Sequence, residues 1–183
     1  MAVWLILGIV GLLIVWVFAT YNRLIGLKNQ LKNAWSQIDV QLKRRHDLIP
    51  NLVNTVKGYM QHERATLENV TKARQQAVEA SGVADQAKAE NFLTQTLRSL
   101  FAVVVNYPDL KANRNFLELQ EEISSTEDQI AFARQFYNDT TLILNNKIEQ
   151  APGNIIASLF NFRRGEFFEL NLTAQREAPQ VQF

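Results

Sequence analysis

The sequence predicts an all-α protein: an N-terminal transmembrane helix followed by an antiparallel bundle of three long helices plus a short fourth helix. Three observations carry that prediction. Residues 2–20, AVWLILGIVGLLIVWVFAT, contain no charge. Two later stretches, 31–59 and 116–151, repeat apolar residues at helical spacing. Turn signals separate the long stretches, at Ser81-Gly82, at Asn106-Tyr107-Pro108-Asp109 and at Pro152-Gly153. Connections that short force neighbouring helices to run antiparallel, so the 31–59 and 116–151 seams are expected to face each other.

The uncharged run at 2–20 spans about 28 Å as a helix, close to the hydrocarbon thickness of a bilayer. Trp4, Trp16 and Tyr21 stand near its two ends, where amphipathic rings prefer the membrane interface. A cleaved signal peptide is the competing reading, with Val17-Phe18-Ala19 as its cleavage site. The run lacks a basic leader and is too long for a signal's apolar region, which favours a retained anchor over residues 1–21. Arg23, Lys28 and Lys32 follow before the first acid, Asp39. By the positive-inside rule that bias places the bundle in the cytoplasm.

Stepping 3.5 residues at a time from Leu31 gives Trp35, Ile38, Leu42, Arg45, Ile49, Leu52, Val56 and Tyr59. All but Arg45 are apolar, the pattern of a helix packed at a shallow angle on its neighbours. A buried guanidinium without a partner costs several kcal/mol, roughly, so Arg45 needs a carboxylate or a route out to water. Pro50 interrupts the same helix. It lacks the N–H that would bond the carbonyl of His46, and it lies nearly opposite the seam, where water can reach that carbonyl. A kink there bends the helix around its partners.

The first long helix is expected to continue past Gly58 through Leu67, Val70 and Arg74, since a helical glycine is only mildly costly. A second helix reads from about Asp85 to Val105, with Phe92, Leu93, Leu97, Leu100, Phe101 and Val104 at helical spacing. The third, from about Leu110 to Gln150, holds a strict seven-residue repeat of Phe116, Ile123, Ile130, Tyr137, Leu144 and Ala151. Glu127 stands beside this seam and is the best candidate partner for Arg45. A second stripe, Phe132, Phe136 and Ile143, falls on nearly the opposite side. A helix apolar on two faces is central in its bundle or faces another chain, and this stripe is the expected homo-oligomer face. Asn154 is placed to cap the short helix IIASLFNF. Residues 22–170 then form the bundle, and 171–183 an extended tail.

Several chemistries find no footing. The formal net charge is +1, which gives no electrostatic footprint for nucleic acid. There is no cysteine, so disulfides, thiolate chemistry and lipid attachment through cysteine are excluded. His62-Glu63 lacks the second histidine of a zinc-protease motif, because Thr66 stands there. The residues three before His46 and His62 are Lys43 and Tyr59, so the Glu-x-x-His pairs of a di-iron bundle are missing too. No glycine-rich phosphate loop or nucleophile elbow occurs. The acidic group Glu118, Glu121, Glu122, Glu127 and Asp128 reads as a solvated helix face, with a weak cation site as its alternative. No catalytic residue, metal or cofactor, and no small-molecule substrate, is expected.

Three stretches carry a resemblance. AWSQIDVQLKRRHDLIPNLVNTVKGY, NYPDLKANRNFLELQEEISSTEDQIAFARQFYND and the closing EAPQVQF resemble the signature segments of the LemA family of bacterial membrane proteins. The resemblance covers most of the chain beyond the anchor and implies antiparallel helices on a membrane anchor. Some LemA-like proteins are similar to lipoproteins, with a modified cysteine just before a Tyr-Asn pair. That would put their bundle outside the inner membrane. Here Ala19-Thr20 precede Tyr21-Asn22. The expected function is a membrane-anchored, self-assembling scaffold. Its competitor is a monomeric adaptor that recruits a membrane protease or envelope protein.

Overall fold

A computed structural model describes residues 1–60 and 62–169. All regular structure among them is helical: α1 (Ala2–Lys57), α2 (Arg64–Glu79), α3 (Val83–Val104), α4 (Pro108–Lys111), α5 (Arg114–Glu149) and α6 (Gly153–Leu159). The tail expected at 171–183 lies outside the described residues.

The turns follow local chemistry. Gly82 joins α2 to α3 at φ +83°, a conformation side chains rarely adopt. Pro108 opens the single turn of α4, where its missing N–H is no loss. Asn113 caps α5 by accepting the backbone N–H of Phe116 at 3.1 Å. Two expectations need correction. The first long helix does not continue past Gly58: α1 stops at Lys57, and α2 is a separate helix. Met60, one of the most deeply buried side chains, is drawn into the core from the turn, and backbone bonds from Tyr59 and Met60 to the Val56 carbonyl close the helix end. Burial of Met60 outweighs the modest preference for continuing through glycine. Asn154 does not cap α6 either, because the helix starts at Gly153 and Asn154 lies inside its first turn.

The chain divides into two compact units, and α1 and α5 contribute a segment to each. One unit is Met1–Ile38 with Phe132–Phe167. Its core is Leu24, Leu27, Leu144, Ile156 and Ala157, with Trp16, Val17, Tyr21 and Phe162 packed against them. Residues 2–15 of α1 are exposed throughout. The described residues contain one helix, α1, long and apolar enough to cross a membrane.

The other unit is Asp39–Ala131 together with Phe168. Here the end of α1, all of α2 and α3 and the start of α5 close around one core. The α1 seam contributes Ile49, Leu52 and Val56, and α3 contributes Leu93, Leu97, Leu100 and Val104. Phe116 and Ile123 of α5 complete it, with Phe101 edge-on to Phe116 at 6.3 Å. Within this unit α1 and α5 run antiparallel: Arg44 meets Glu122, and further along Tyr59 accepts from Asn113. Ile49 and Ile130 are both buried.

Candidate functional site

The seam charge Arg45 is fully buried, at 0 % exposure, in the unit formed by residues 39–131. Its partner is Glu90 of α3, also 0 % exposed, whose Oε2 accepts from Arg45 Nη2. Arg45 Nη1 donates to Thr94 Oγ1 at 3.0 Å, one turn further along α3. The second carboxylate oxygen, Oε1, takes two more bonds: from His46 Nε2 at 2.8 Å and from Gln86 Nε2 at 2.8 Å. An ionised carboxylate only accepts, so His46 carries its proton on Nε2. Gln86 also donates to the Ala77 carbonyl of α2 at 2.9 Å. Helices α1 and α3 thus meet at one carboxylate, and Gln86 ties it to α2 through Ala77.

Burial alone would push Glu90 towards its neutral form. The hydrogen bond from His46 and the charge of Arg45 together overcome that, and the Glu90 carboxyl is held below its ordinary range. Glu90 is therefore an ionised anchor rather than a proton donor near neutral pH. Removing one member of such a buried pair strands the other, which costs about 3–5 kcal/mol.

Pro50 enters the same neighbourhood by way of the backbone. It is exposed, opposite the seam as expected. The carbonyl that it frees, that of His46, accepts Arg74 Nε of α2 at 2.7 Å. The expected water is thus replaced by a side chain. Pro50 exposes an acceptor, and α2 docks on it.

The expected Arg45–Glu127 pair is not formed. Glu127 meets Arg98 at 3.3 Å near the surface, and Arg45 is engaged by α3. The reason lies in α3. Its buried stripe is Ala87, Glu90, Leu93, Leu97, Leu100 and Val104, and one step back along the stripe from Leu93 lands on Glu90. Phe92, taken for a stripe residue in the sequence, points outward and is exposed. The readable signal for Glu90 was this 3–4 spacing. His46, Gln86, Thr94 and Arg74 carried none.

Three of the five acids on α5 are drawn into surface pairs: Glu118 with Arg114, Glu122 with Arg44 and Glu127 with Arg98. Among the described residues no three His, Asp or Glu side chains are grouped to hold a metal ion. None of the cluster's side chains lines the cleft of about 570 Å³ beside Val53, Met60 and Leu67. In the other unit Phe132 is 73 % exposed, and Phe136 and Ile143 are exposed with it. Among the described residues that stripe belongs to neither buried core.

Comparison with known proteins gives a consistent set. The family model described as LemA family matches residues 34–183. Protein LemA of Metamycoplasma hominis is 27 % identical over 152 residues, covering 81 % of this chain and 68 % of that protein. Magnetosome protein MamQ 2 of Paramagnetospirillum magneticum is 23 % identical over 175 residues, and magnetosome protein MamQ of Magnetospirillum gryphiswaldense 24 % over 174. Each of these two matches covers 81 % of this chain, and the chain spans 64 % of either MamQ protein.

Proposed function

The chain belongs to the LemA family, and on that premise we propose that it is a non-enzymatic scaffold, anchored in the bacterial inner membrane, that self-assembles through its helical units and organises the membrane or its proteins. The observation that carries self-assembly is the stripe of Phe132, Phe136 and Ile143, which lies open on α5. Covering a ring of that size removes substantial apolar area from water, at roughly 25 cal/mol per Å². Anchoring raises the effect. Uncharged, exposed residues of α1 lead without a break into the folded unit, so copies held in one bilayer meet at raised effective concentration. Gly8 and Gly11 are three apart and make no small-xxx-small pair, which leaves the contact to the helical units. None of the relatives named above bears the name of an enzyme.

The basic residues Arg23, Lys28 and Lys32 favour a cytoplasmic bundle, with the extracytoplasmic side as the alternative. Cross-linking of the full-length protein in native membranes tests the assembly. A ladder of homo-oligomers is expected, and Phe132→Asp with Phe136→Asp should collapse it. A wild type that stays monomeric at every cross-linker dose would overturn the scaffold. The adaptor reading would then take its place, with a membrane protease or envelope protein as the partner.

A further inference from the structure

Helix α6 buries one side and leaves an apolar edge uncovered. Ile156 and Ala157 pack into the core with Leu24 and Leu27, while Ile155, Leu159 and Phe160 face outward, Leu159 at 71 % exposure. Ile155 and Leu159 are four apart and share one side of the helix. We propose that this edge is a membrane foot: α6 and the Phe160 that follows it seat Ile155, Leu159 and Phe160 in the interfacial layer of the same bilayer that holds the α1 anchor. The inference rests on the reading of residues 2–20 as a membrane span.

Depth carries the argument. The uncharged run is about 28 Å long, so a bilayer that covers it reaches the level of Thr20. The first charge, Arg23, comes three residues later. Helix α6 does not sit beyond that level. The Phe160 ring lies 4.7 Å from that of Tyr21, and Phe162 lies 5.9 Å from it. Trp16 and Val17, inside the uncharged run, pack against the same cluster as Ile156, Ala157 and Phe162. From Trp16 to Arg23 is about 10 Å along the helix, which brackets the headgroup boundary. An apolar edge at that height meets lipid. Aromatic rings such as Phe160 and Tyr21 beside it suit the boundary.

Charge on the same unit fits this orientation. Arg23 and Lys147 line one cleft of about 300 Å³ next to Leu27, and exposed Arg163 follows α6 in the chain, beside Arg164, which is paired with Glu149 at 2.8 Å. Cations placed just outside an apolar edge suit anionic headgroups.

The chain has no cysteine, so single spin labels can be introduced cleanly in the full-length protein. Label Ile155→Cys and Leu159→Cys in nanodiscs of phosphatidylcholine and phosphatidylglycerol. Leu7→Cys serves as the lipid reference and Ser99→Cys, exposed on α3, as the water reference. The foot predicts that both α6 labels favour oxygen over a water-soluble nickel chelate, with depths between the two references. Labels at 155 and 159 that behave like the one at 99 would overturn it. So would labels shielded from both reagents, which would mean that protein covers the edge. If the label at position 7 also sees the chelate freely, the membrane span itself fails and the foot falls with it.

Discussion

In residues 39–131 the buried polar centre is ionic. Arg45 and Glu90 meet with no access to water. His46 and Gln86 bond to the carboxylate and Thr94 to the guanidinium, and among the described residues Arg45 Nε is left without a hydrogen-bond partner. In residues 1–38 with 132–167 the polar residues buried as a whole, Thr20, Thr140, Thr141 and Asn145, are neutral. The Asn145 side chain accepts the Gly165 backbone N–H at 2.8 Å and returns a bond to its carbonyl at 3.0 Å, while the Tyr137 hydroxyl donates to the Glu166 carbonyl at 3.0 Å. The neutral clamp depends on close approach: a Cβ on Gly165 would lie 2.8 Å from Leu31 Cδ2 and 3.2 Å from Thr141 Cγ2. The difference is one of failure mode. An ionic centre fails when a charge is stranded or neutralised; an amide clamp fails when its two sides no longer fit.

Each side of the comparison can be broken separately. The largest effect is expected for Glu90→Ala, which strands Arg45 and should cost about 3–5 kcal/mol in denaturant unfolding of the full-length protein in detergent. Next is Asn145→Ala, which leaves a backbone N–H and carbonyl without their partner. It should cost about 1–3 kcal/mol in the same measurement. Acid should tell the two centres apart. Glu90 is held below the ordinary carboxylate range, so its contribution is complete above its unfolded value of about 4.3 and is lost as pH falls through the lower folded value. Glu90→Gln should flatten that part of the pH–stability curve, whereas Asn145→Ala should leave its shape unchanged. Smallest is Glu127→Ala, which releases a partly exposed pair with Arg98 and should cost about 0–1 kcal/mol.

Much of the fold was legible because its periodicities are long. Phe116, Ile123, Ile130, Tyr137 and Leu144 are all buried, as a seven-residue repeat requires, and so are Ile38, Leu42, Ile49, Leu52 and Val56 on α1. The repeat ran one step too far at Ala151, which is exposed beyond the end of α5. The helix break after Lys57 was not legible, since the choice between continuing and turning is settled by where Met60 is buried. Of the polar cluster only Arg45 was legible. Arg45 stood out as the charge on an apolar seam, but its partner sat among Ala, Gln and Lys residues that hid the stripe. The Arg74 contact could not be read at all, because it joins a side chain to a backbone carbonyl twenty-eight residues earlier. The strap at Gly165–Phe168 was also underestimated: Phe168 is fully buried despite its mixed surroundings in sequence.

The central claim about the folded interior is that Arg45 and Glu90 act as one unit. A double-mutant cycle tests it directly, with Arg45→Met, Glu90→Leu and the two combined, each followed by denaturant unfolding of the full-length protein in detergent. Either single change leaves a buried charge alone and should lose about 3–5 kcal/mol, whereas the double variant removes both charges and should be more stable than either single one. Losses that simply add would contradict the claim.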